Sequence, residues 1–192
     1  MPEDPQGLLF GAPKSKSRTL VFDLETQNSF DDVGGRNKMA ELKMSVGVTY
    51  ALETNEFAVY REEEVNALVE NLRAASRVIG FNQKHFDYAV LGRYTKLDWS
   101  TVKSFDILED LTRILGHRVK LDSVAAATLG TKKSGHGLQA IEWFRKGDWD
   151  TLIKYCKDDV KITSDVWLHG VEKKFVMIET WKEPKKVPVD WK

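Results

Sequence analysis

Two acidic residues, Asp23 and Glu25, lie two positions apart within the apolar segment 20–26. Side chains of a strand alternate between its faces, so both carboxylates would project from one face, while Phe22 and Leu24 would project from the other. Carboxylates crowded in this way repel each other, and a hard divalent cation is the expected partner that offsets the repulsion. An isolated pair with this spacing is also common on a solvated edge. The surrounding apolar residues instead favour a strand buried on both faces, where charge needs a partner.

A second polar group follows the predicted strand 77–82. This strand is expected to end at Asn82 and to lead into a helix whose first turn contains Asp87. Ligands of open α/β sheets bind at such carboxyl ends of strands, which favours a site here. A carboxylate in a first helical turn also interacts well with the helix dipole, so Asp87 on its own does not require a functional role.

A third acidic pair, Asp158 and Asp159, lies in the long helix predicted after Asp148. The apolar residues of this helix define one buried stripe when they are spaced at 100° per residue. Asp159 falls on the shoulder of that stripe, about 40° from Tyr155 and one turn away from it, whereas Asp158 falls toward solvent. The helical geometry therefore predicts that Asp159, rather than Asp158, enters a site.

The elements that position these acids are predicted from periodicity and turn residues. Strands 44–52 and 57–60 form a predicted hairpin, a helix follows at 62–75, and strand 77–82 returns to the sheet. This order gives a mixed sheet with a crossover connection. The polar excursion 27–43 is interpreted either as a loop that closes over a substrate or as an ordinary surface loop.

The later part of the chain is predicted to be mainly helical. Helices are expected at 104–116 and 121–129, followed by a basic loop at 131–137, either a phosphate contact or a solvated segment. A strand is expected at 175–178 and a loose end at 184–192. The domain organisation predicted from these features is a flexible leader 1–17, a single domain 18–178 and a tail 179–192.

The composition is that of an ordinary globular chain of 192 residues, with 29 basic and 29 acidic residues. Because the charges balance, no strong overall field attracts a duplex or a membrane surface. Cys156 is the only cysteine, which excludes an internal disulfide and fits a reducing compartment. No apolar stretch approaches the roughly 18 residues of a membrane span, so we expect a cytoplasmic location and no membrane partner.

Taken in order, the three acidic groups resemble the DEDD 3′-to-5′ exonuclease superfamily, in its tyrosine (DEDDy) branch. The motifs that carry the resemblance are Phe-Asp-Leu-Glu-Thr at 22–26, Gly-Phe-Asn-Gln-Lys-His-Phe-Asp at 80–87 and Tyr-Cys-Lys-Asp-Asp-Val at 155–160. The second motif is similar to that of the proofreading domains of B-family DNA polymerases, and the chain as a whole is similar to prokaryotic predicted exonucleases that stand alone or accompany helicases. The resemblance covers about residues 18–170, and no motif position is replaced. The histidine branch would place its base at Lys154, so the tyrosine branch fits better.

The resemblance implies an α/β fold, a ribonuclease H-like mixed five-stranded sheet flanked by helices. It also implies two divalent cations, Mg²⁺ or Mn²⁺, about 4 Å apart, which would generate a hydroxide near neutral pH and stabilise the departing 3′ oxygen. Asp23 would bridge both cations, Glu25 and Asp159 would complete one site, and Asp87 would hold the second cation. Tyr155 would orient the attacking water, because a phenol that titrates near 10 is better suited to positioning than to proton removal. The residues implied to hold the terminal nucleotide are Leu24, Thr26, Asn82 and Phe86.

The expected activity is 3′-to-5′ exonucleolytic hydrolysis of single-stranded nucleic acid, with DNA favoured over RNA and nucleoside 5′-monophosphates as products. The alternatives are an exoribonuclease, a phosphohydrolase of small nucleotides, and a catalytically silent module that recruits a helicase or nuclease. No glycine-rich phosphate loop is present, so a helicase is expected to be a separate partner. The tryptophans at 143, 181 and 191 are candidates for stacking on bases, although core or tail packing is expected for most of them.

Overall fold

The computed structural model describes residues 18–131, 135 and 137–192. The predicted leader 1–17 and most of the predicted basic loop 131–137 therefore lie outside the described residues. Within the described part of the chain, no helix combines the length and the apolar character that crossing a membrane requires.

A mixed sheet of five strands lies at the centre of the described chain. Its strands are β1 (Thr19–Thr26), β2 (Met44–Ala51), β3 (Glu56–Arg61), β4 (Arg77–Gly80) and β5 (Ser104–Asp106), in the spatial order β3-β2-β1-β4-β5. The β1–β2 and β2–β3 pairs are antiparallel, whereas the β1–β4 and β4–β5 pairs are parallel. The predicted mixed five-stranded sheet is confirmed, and β1 is its middle strand.

Helices cover both faces of this sheet. They are α1 (Phe30–Val33), α2 (Val65–Ala74), α3 (Asp87–Leu91), α4 (Ile107–Leu115), α5 (Leu121–Leu129), α6 (Gly137–Lys146) and α7 (Trp149–Lys173), with short 3-10 turns at Met39–Leu42, Glu62–Glu64 and Trp99–Thr101. Leu20, Phe22 and Leu24 of β1 belong to a buried cluster with residues of α2 and α3. Val21, one position out of phase, belongs to a second cluster with α5 and α7. The middle strand is thus buried on both faces, as its apolar sequence predicted.

The segment 104–116 corrects one prediction. We predicted a single helix, but Ser104–Asp106 is strand β5, and α4 begins at Ile107. Asp106 separates the two elements, because its carboxylate accepts hydrogen bonds from the N–H groups of Leu108 and Glu109 and so caps the helix. The strand is only three residues long, too short for its alternation to be distinguished from helical periodicity.

The polar excursion 27–43 is more ordered than a simple loop. Ser29 and Asp32 form a capping box at the start of α1, and a 3-10 turn at Met39–Leu42 leads into β2. The capping box satisfies backbone donors that a four-residue helix otherwise leaves to solvent. This segment therefore presents α1 in a defined position beside the end of β1.

The C-terminal segment corrects a second prediction. The predicted strand 175–178 is present as β6 (Phe175–Ile178), but 184–192 is not a loose end, because β7 (Lys185–Pro188) pairs with β6. Trp191 is 1% exposed and stacks on Trp167 with ring centroids 5.5 Å apart. Gly170 makes room for the Trp191 ring, since a methyl group at that position would overlap it. The indole of Trp191 also donates to Asp110 at 2.8 Å.

Candidate active site

β1 directs Asp23 and Glu25 toward the face of the sheet that α7 covers. Cys156 of α7 contacts the carbonyl oxygen of Asp23 at 3.7 Å through its Sγ atom. One ligand atom from each of Asp23, Glu25 and Cys156 lies within 4.8 Å of the others. Glu25 is buried and Asp23 is half-buried, so strand alternation has placed two carboxylates at one shielded position.

Asp87 joins this position from the start of α3. Its side chain is 2% exposed, and one carboxylate oxygen accepts a hydrogen bond from the backbone N–H of Leu24 at 3.1 Å. This bond ties the second motif directly to the strand between the two acids of the first. Burial raises the pKa of Asp87 to about 7; the Leu24 N–H opposes this rise, and the negative charge of Asp106 adds to it.

The turn before α3 is held by Asp106, a residue that the sequence analysis missed. Asn82 has a positive φ of 74°, in the left-handed region that non-glycine residues rarely adopt. The backbone N–H groups of Asn82 and Lys84 donate to the two oxygens of Asp106, at 2.9 and 3.1 Å. Asp106 therefore stabilises this turn and caps α4 at the same time. Asp106 directly precedes the apolar pattern of α4, a position that is typical of a helix N-cap. Because the predicted helix 104–116 included Asp106, this role was not predicted.

α7 contributes Tyr155 and Asp159, which are both buried and lie one turn apart. The side chains of Tyr155 and Asp159 are hydrogen bonded to each other, and the pKa of Tyr155 is raised by burial and by the charges of Glu25, Asp159 and Asp23. Burial and the same carboxylates raise the pKa of the Cys156 thiol. Asp158 instead lies on the partly exposed side of α7, where it forms an ion pair with Lys154 at 2.9 Å. The two neighbouring aspartates thus point in the directions that the helical angle predicted.

A pocket of about 680 Å³ unites these side chains. All nine residues named in advance as site residues line it, namely Asp23, Leu24, Glu25, Thr26, Asn82, Phe86, Asp87, Tyr155 and Asp159. The sequence analysis did not name the remaining lining residues, which are Asn28, Ser29, Phe30, Leu42, Phe81, Gly137, Leu138 and Ile141. The excursion 27–43 therefore supplies one wall of the pocket, and α6 supplies another.

A family model described as the RNase H superfamily matches residues 20–169. The chain belongs to the RNase H superfamily. The match begins in β1 and ends in α7, so it includes the central sheet except for Thr19, and every residue that lines the pocket. Among curated proteins, no match to the chain was found. Membership of the RNase H superfamily confirms the ribonuclease H-like fold class and indicates a nuclease-type enzyme whose substrate is nucleic acid.

The donor set fits the divalent cations on which RNase H superfamily domains usually depend. Carboxylate oxygens are the preferred ligands of Mg²⁺ and Mn²⁺. Four carboxylates line this pocket. Beside burial, the charges of three of them raise the pKa of Tyr155 and the charges of all four raise that of Cys156, which marks a negative local field. A bound cation would offset the repulsion that burial of these carboxylates creates.

An ion pair joins the two walls of the RNase H superfamily pocket. Asp32 of α1 accepts a hydrogen bond from Arg145 of α6 at 2.8 Å. Hydrogen bonds from Ser29, followed by the contact with Arg145, lower the pKa of Asp32 to about 2. The pair therefore remains charged throughout the physiological range and links α1 to α6 at the surface.

Asp87 should make the metal-free protein less stable as the pH rises. Its folded-state pKa of about 7 lies above the ordinary value of 3.8, so the neutral form favours folding. This stabilisation is complete below about pH 4 and is lost as the pH rises through about 7, and the shift corresponds to about 4 kcal/mol. Asp87→Asn mimics the neutral carboxyl, so its free energy of unfolding relative to wild type should rise between pH 5 and pH 8. Urea denaturation in EDTA at both pH values measures this difference.

The matched control for this measurement is Asp158→Asn, which neutralises a partly exposed carboxylate. Its free energy of unfolding should stay parallel to that of the wild type between the two pH values. If the free energy of unfolding of Asp87→Asn also stayed parallel to that of the wild type, Asp87 would be ionised in the folded protein at both pH values.

Proposed function

We propose that this protein is a metal-dependent 3′-to-5′ exonuclease of the DEDDy type. It hydrolyses phosphodiester bonds of single-stranded nucleic acid, with DNA favoured, and releases nucleoside 5′-monophosphates. The observation that carries the proposal is the convergence of Asp23, Glu25, Asp87 and Asp159 with Tyr155 in one pocket. Membership of the RNase H superfamily supports the nuclease chemistry.

The proposed metal ligands are Asp23, Glu25, Asp87 and Asp159, and the proposed cofactors are two divalent cations, Mg²⁺ or Mn²⁺. When bound, they would supply hydroxide near neutral pH and stabilise the charge that develops on the leaving 3′ oxygen. The carboxylates come from β1, α3 and α7, three elements fixed by the core. Placement on rigid elements keeps the ligands in position before substrate arrives.

Tyr155 is proposed to position the attacking water. Its pKa is raised by burial and by the surrounding carboxylates, so the phenol keeps its proton at neutral pH and does not serve as a base. The hydroxyl shares a hydrogen bond with Asp159 and therefore lies at the end of the pocket where hydrolysis would occur. This arrangement supports a role in orientation.

The other lining residues suit a terminal nucleotide. Phe86 forms an edge-to-face pair with Phe30, with ring centroids 6.1 Å apart, and both rings line the pocket. The proposed contacts of the nucleotide are Phe86, Thr26, Asn82 and the Leu24 position, although the N–H of Leu24 already donates to Asp87. The pocket thus has an apolar part, formed by Phe30 and Phe86, that suits a base. Its carboxylates form an acidic part that suits a metal-bound phosphate.

A time course on 5′-labelled single strands of DNA and RNA with the same sequence tests the proposal. Each strand is incubated with Mn²⁺, Mg²⁺ or EDTA. We expect a ladder that shortens from the 3′ end, appears only with metal and is stronger on DNA. A ladder confined to RNA would assign an exoribonuclease instead. Absence of any ladder, with Mn²⁺ binding measured by calorimetry, would overturn the proposal in favour of a hydrolase of small nucleotides.

Tyr155→Phe should lower kcat by about tenfold or more, because loss of the hydroxyl leaves the attacking water less well oriented. The ring is retained, so its edge-to-face contact with Trp143 at 5.5 Å should persist. The affinity for Mn²⁺ should be unchanged, since the carboxylates are intact. Steady-state kinetics and Mn²⁺ calorimetry on the same samples separate the two effects. A kcat equal to that of the wild type would remove Tyr155 from the proposed reaction.

A further inference from the structure

The C-terminal hairpin of β6 and β7 presents one tryptophan almost entirely to solvent. Trp181 lies in the turn between the strands and is 89% exposed, more than any other large apolar side chain in the described part of the chain. Trp191, ten residues later, is buried. A large aromatic side chain gains free energy by leaving water, so its exposure on a folded surface marks a place where a ligand can cover it.

Hydrogen bonds to α5 anchor the hairpin that carries Trp181. Thr128 of α5 accepts a hydrogen bond from the N–H of Met177 and donates one to its carbonyl oxygen, each at 2.9 Å. The N–H of Glu179 donates to Ser123 at 3.2 Å, and Thr180 bonds to the backbone of residues 182 and 183. Because the turn is anchored on α5, the backbone that carries the exposed ring is ordered before a ligand binds, which lowers the entropic cost of binding.

Cationic side chains lie on the hairpin that carries Trp181. Lys182 places its ammonium group 4.5 Å from the centroid of the Trp181 ring, and Lys186 lies 3.9 Å from that of Phe175. The two segments 116–123 and 179–186 carry five cationic side chains, Arg118, Lys120, Lys182, Lys185 and Lys186, against three carboxylates, Asp122, Glu179 and Glu183. These two segments thus carry a positive excess in a chain without net charge, and Lys182 places part of it beside the exposed ring.

This positive surface reaches the rim of the pocket. The guanidinium of Arg118 donates to the side-chain oxygen of Asn82 at 2.7 Å, and Asn82 lines the pocket. Ser123, which holds the hairpin through Glu179, lies five residues after Arg118, a separation of at most about 17 Å. A strand whose end occupies the pocket can therefore continue past Arg118 toward Trp181.

We propose that Arg118, Lys120, Trp181, Lys182 and Lys186, named here the Trp181 surface, bind the nucleotides on the 5′ side of the one in the pocket. Trp181 stacks on a base, and the cationic side chains bind phosphates. This inference rests on the proposed exonuclease function and adds a second contact region for the single strand. Stacking and backbone charge together characterise the binding of single-stranded nucleic acid without sequence preference.

The test measures kcat and KM for the hydrolysis of two oligothymidylates, of four and sixteen nucleotides, by the wild type and by Trp181→Ala. We expect the variant to raise KM for the long oligonucleotide about tenfold, with kcat unchanged, because one stacked base is lost. An oligonucleotide too short to span from the pocket to the hairpin should give the same KM with both proteins. Trp181→Phe should restore most of the affinity. Leu168→Ala, which removes another exposed apolar side chain, is the matched control. It should leave KM unchanged for both oligonucleotides.

Binding without hydrolysis separates a failure of this inference from a failure of the exonuclease proposal. The anisotropy of 5′-fluorescein-labelled sixteen-nucleotide oligothymidylate is measured in EDTA at two salt concentrations. A loss of affinity in Trp181→Ala, together with a smaller salt dependence in Lys182→Ala, supports the Trp181 surface whether or not hydrolysis occurs. Equal affinities of Trp181→Ala and wild type for this strand overturn it and assign the exposed ring to a protein partner. Absence of hydrolysis by the wild type with metal overturns the exonuclease proposal alone.

Discussion

Asp23→Asn should reduce metal-dependent hydrolysis of a 5′-labelled single strand by at least about a thousandfold, because cation binding supplies several kcal/mol of transition-state stabilisation. Asp23 comes from the middle strand, and one of its carboxylate oxygens lies within 4.8 Å of a ligand atom of both Glu25 and Cys156. Asparagine keeps the volume of the side chain but removes the charge that would hold the cations. Initial rates with saturating Mn²⁺ measure the effect.

The same variant should be at least as stable as the wild type when metal is absent. Removal of one negative charge relieves repulsion among the buried carboxylates, so the melting temperature in EDTA should rise. Addition of Mn²⁺ should raise the melting temperature of the wild type more than that of Asp23→Asn, since a ligand that binds only the folded state stabilises it. A variant that hydrolyses the strand at the wild-type rate would show that the reaction centre lies elsewhere.

Asp159→Asn and Asp158→Asn should differ in activity by about a hundredfold or more, although the two residues are adjacent. Asp159 is 3% exposed, lines the pocket and bonds with Tyr155, so loss of its charge should impair metal binding and hydrolysis together. Asp158 faces the other side of α7 beside Lys154. Loss of this partly exposed ion pair should change stability by less than about 1 kcal/mol and leave kcat within about twofold of the wild type.

Each of these two variants serves as the control for the other, because they change the same helix by the same chemistry. The measurements are kcat/KM with Mn²⁺ and the Mn²⁺ dissociation constant by calorimetry. Comparable losses in both variants would mean that the substitution acts through the stability of α7. A larger loss in Asp158→Asn would reverse the assignment of the third acidic motif.

The catalytically silent alternative makes a different set of predictions. A scaffold that only recruits a partner gains nothing from four carboxylates held together, because their burial costs desolvation free energy and repulsion. On that alternative, Asp23→Asn, Asp87→Asn and Asp159→Asn would each stabilise the protein and none would abolish a reaction. Both interpretations predict stabilisation in the absence of metal, so the rates of hydrolysis and the rise in melting temperature on addition of Mn²⁺ separate them.

The sequence by itself determined those features that depend on local periodicity. Strand alternation placed Asp23 and Glu25 on one face, and the helical angle separated Asp159 from Asp158. The motif resemblance named nine site residues, and all nine line one pocket; their roles stay a prediction. The two predictions of side-chain direction are confirmed because each rests on the fixed geometry of a single strand or helix, which follows from a long apolar pattern.

The tertiary structure alone decided features that join distant parts of the chain. Asp106 holds the turn at Asn82 across 24 residues, and β5 exists only because a partner strand completes it. The walls from α1 and α6 meet at the pocket although more than 100 residues separate them.

The two C-terminal tryptophans also differ in a way that only the tertiary structure decided. Sequence analysis treated Trp181 and Trp191 alike, yet one is exposed on a hairpin turn and the other fills the space beside Gly170 and Trp167. Local composition is similar around both, so no periodicity distinguishes them. Their difference arises from the shape of the surface that each one meets. That shape is a product of packing between elements and is not encoded in any short stretch of sequence.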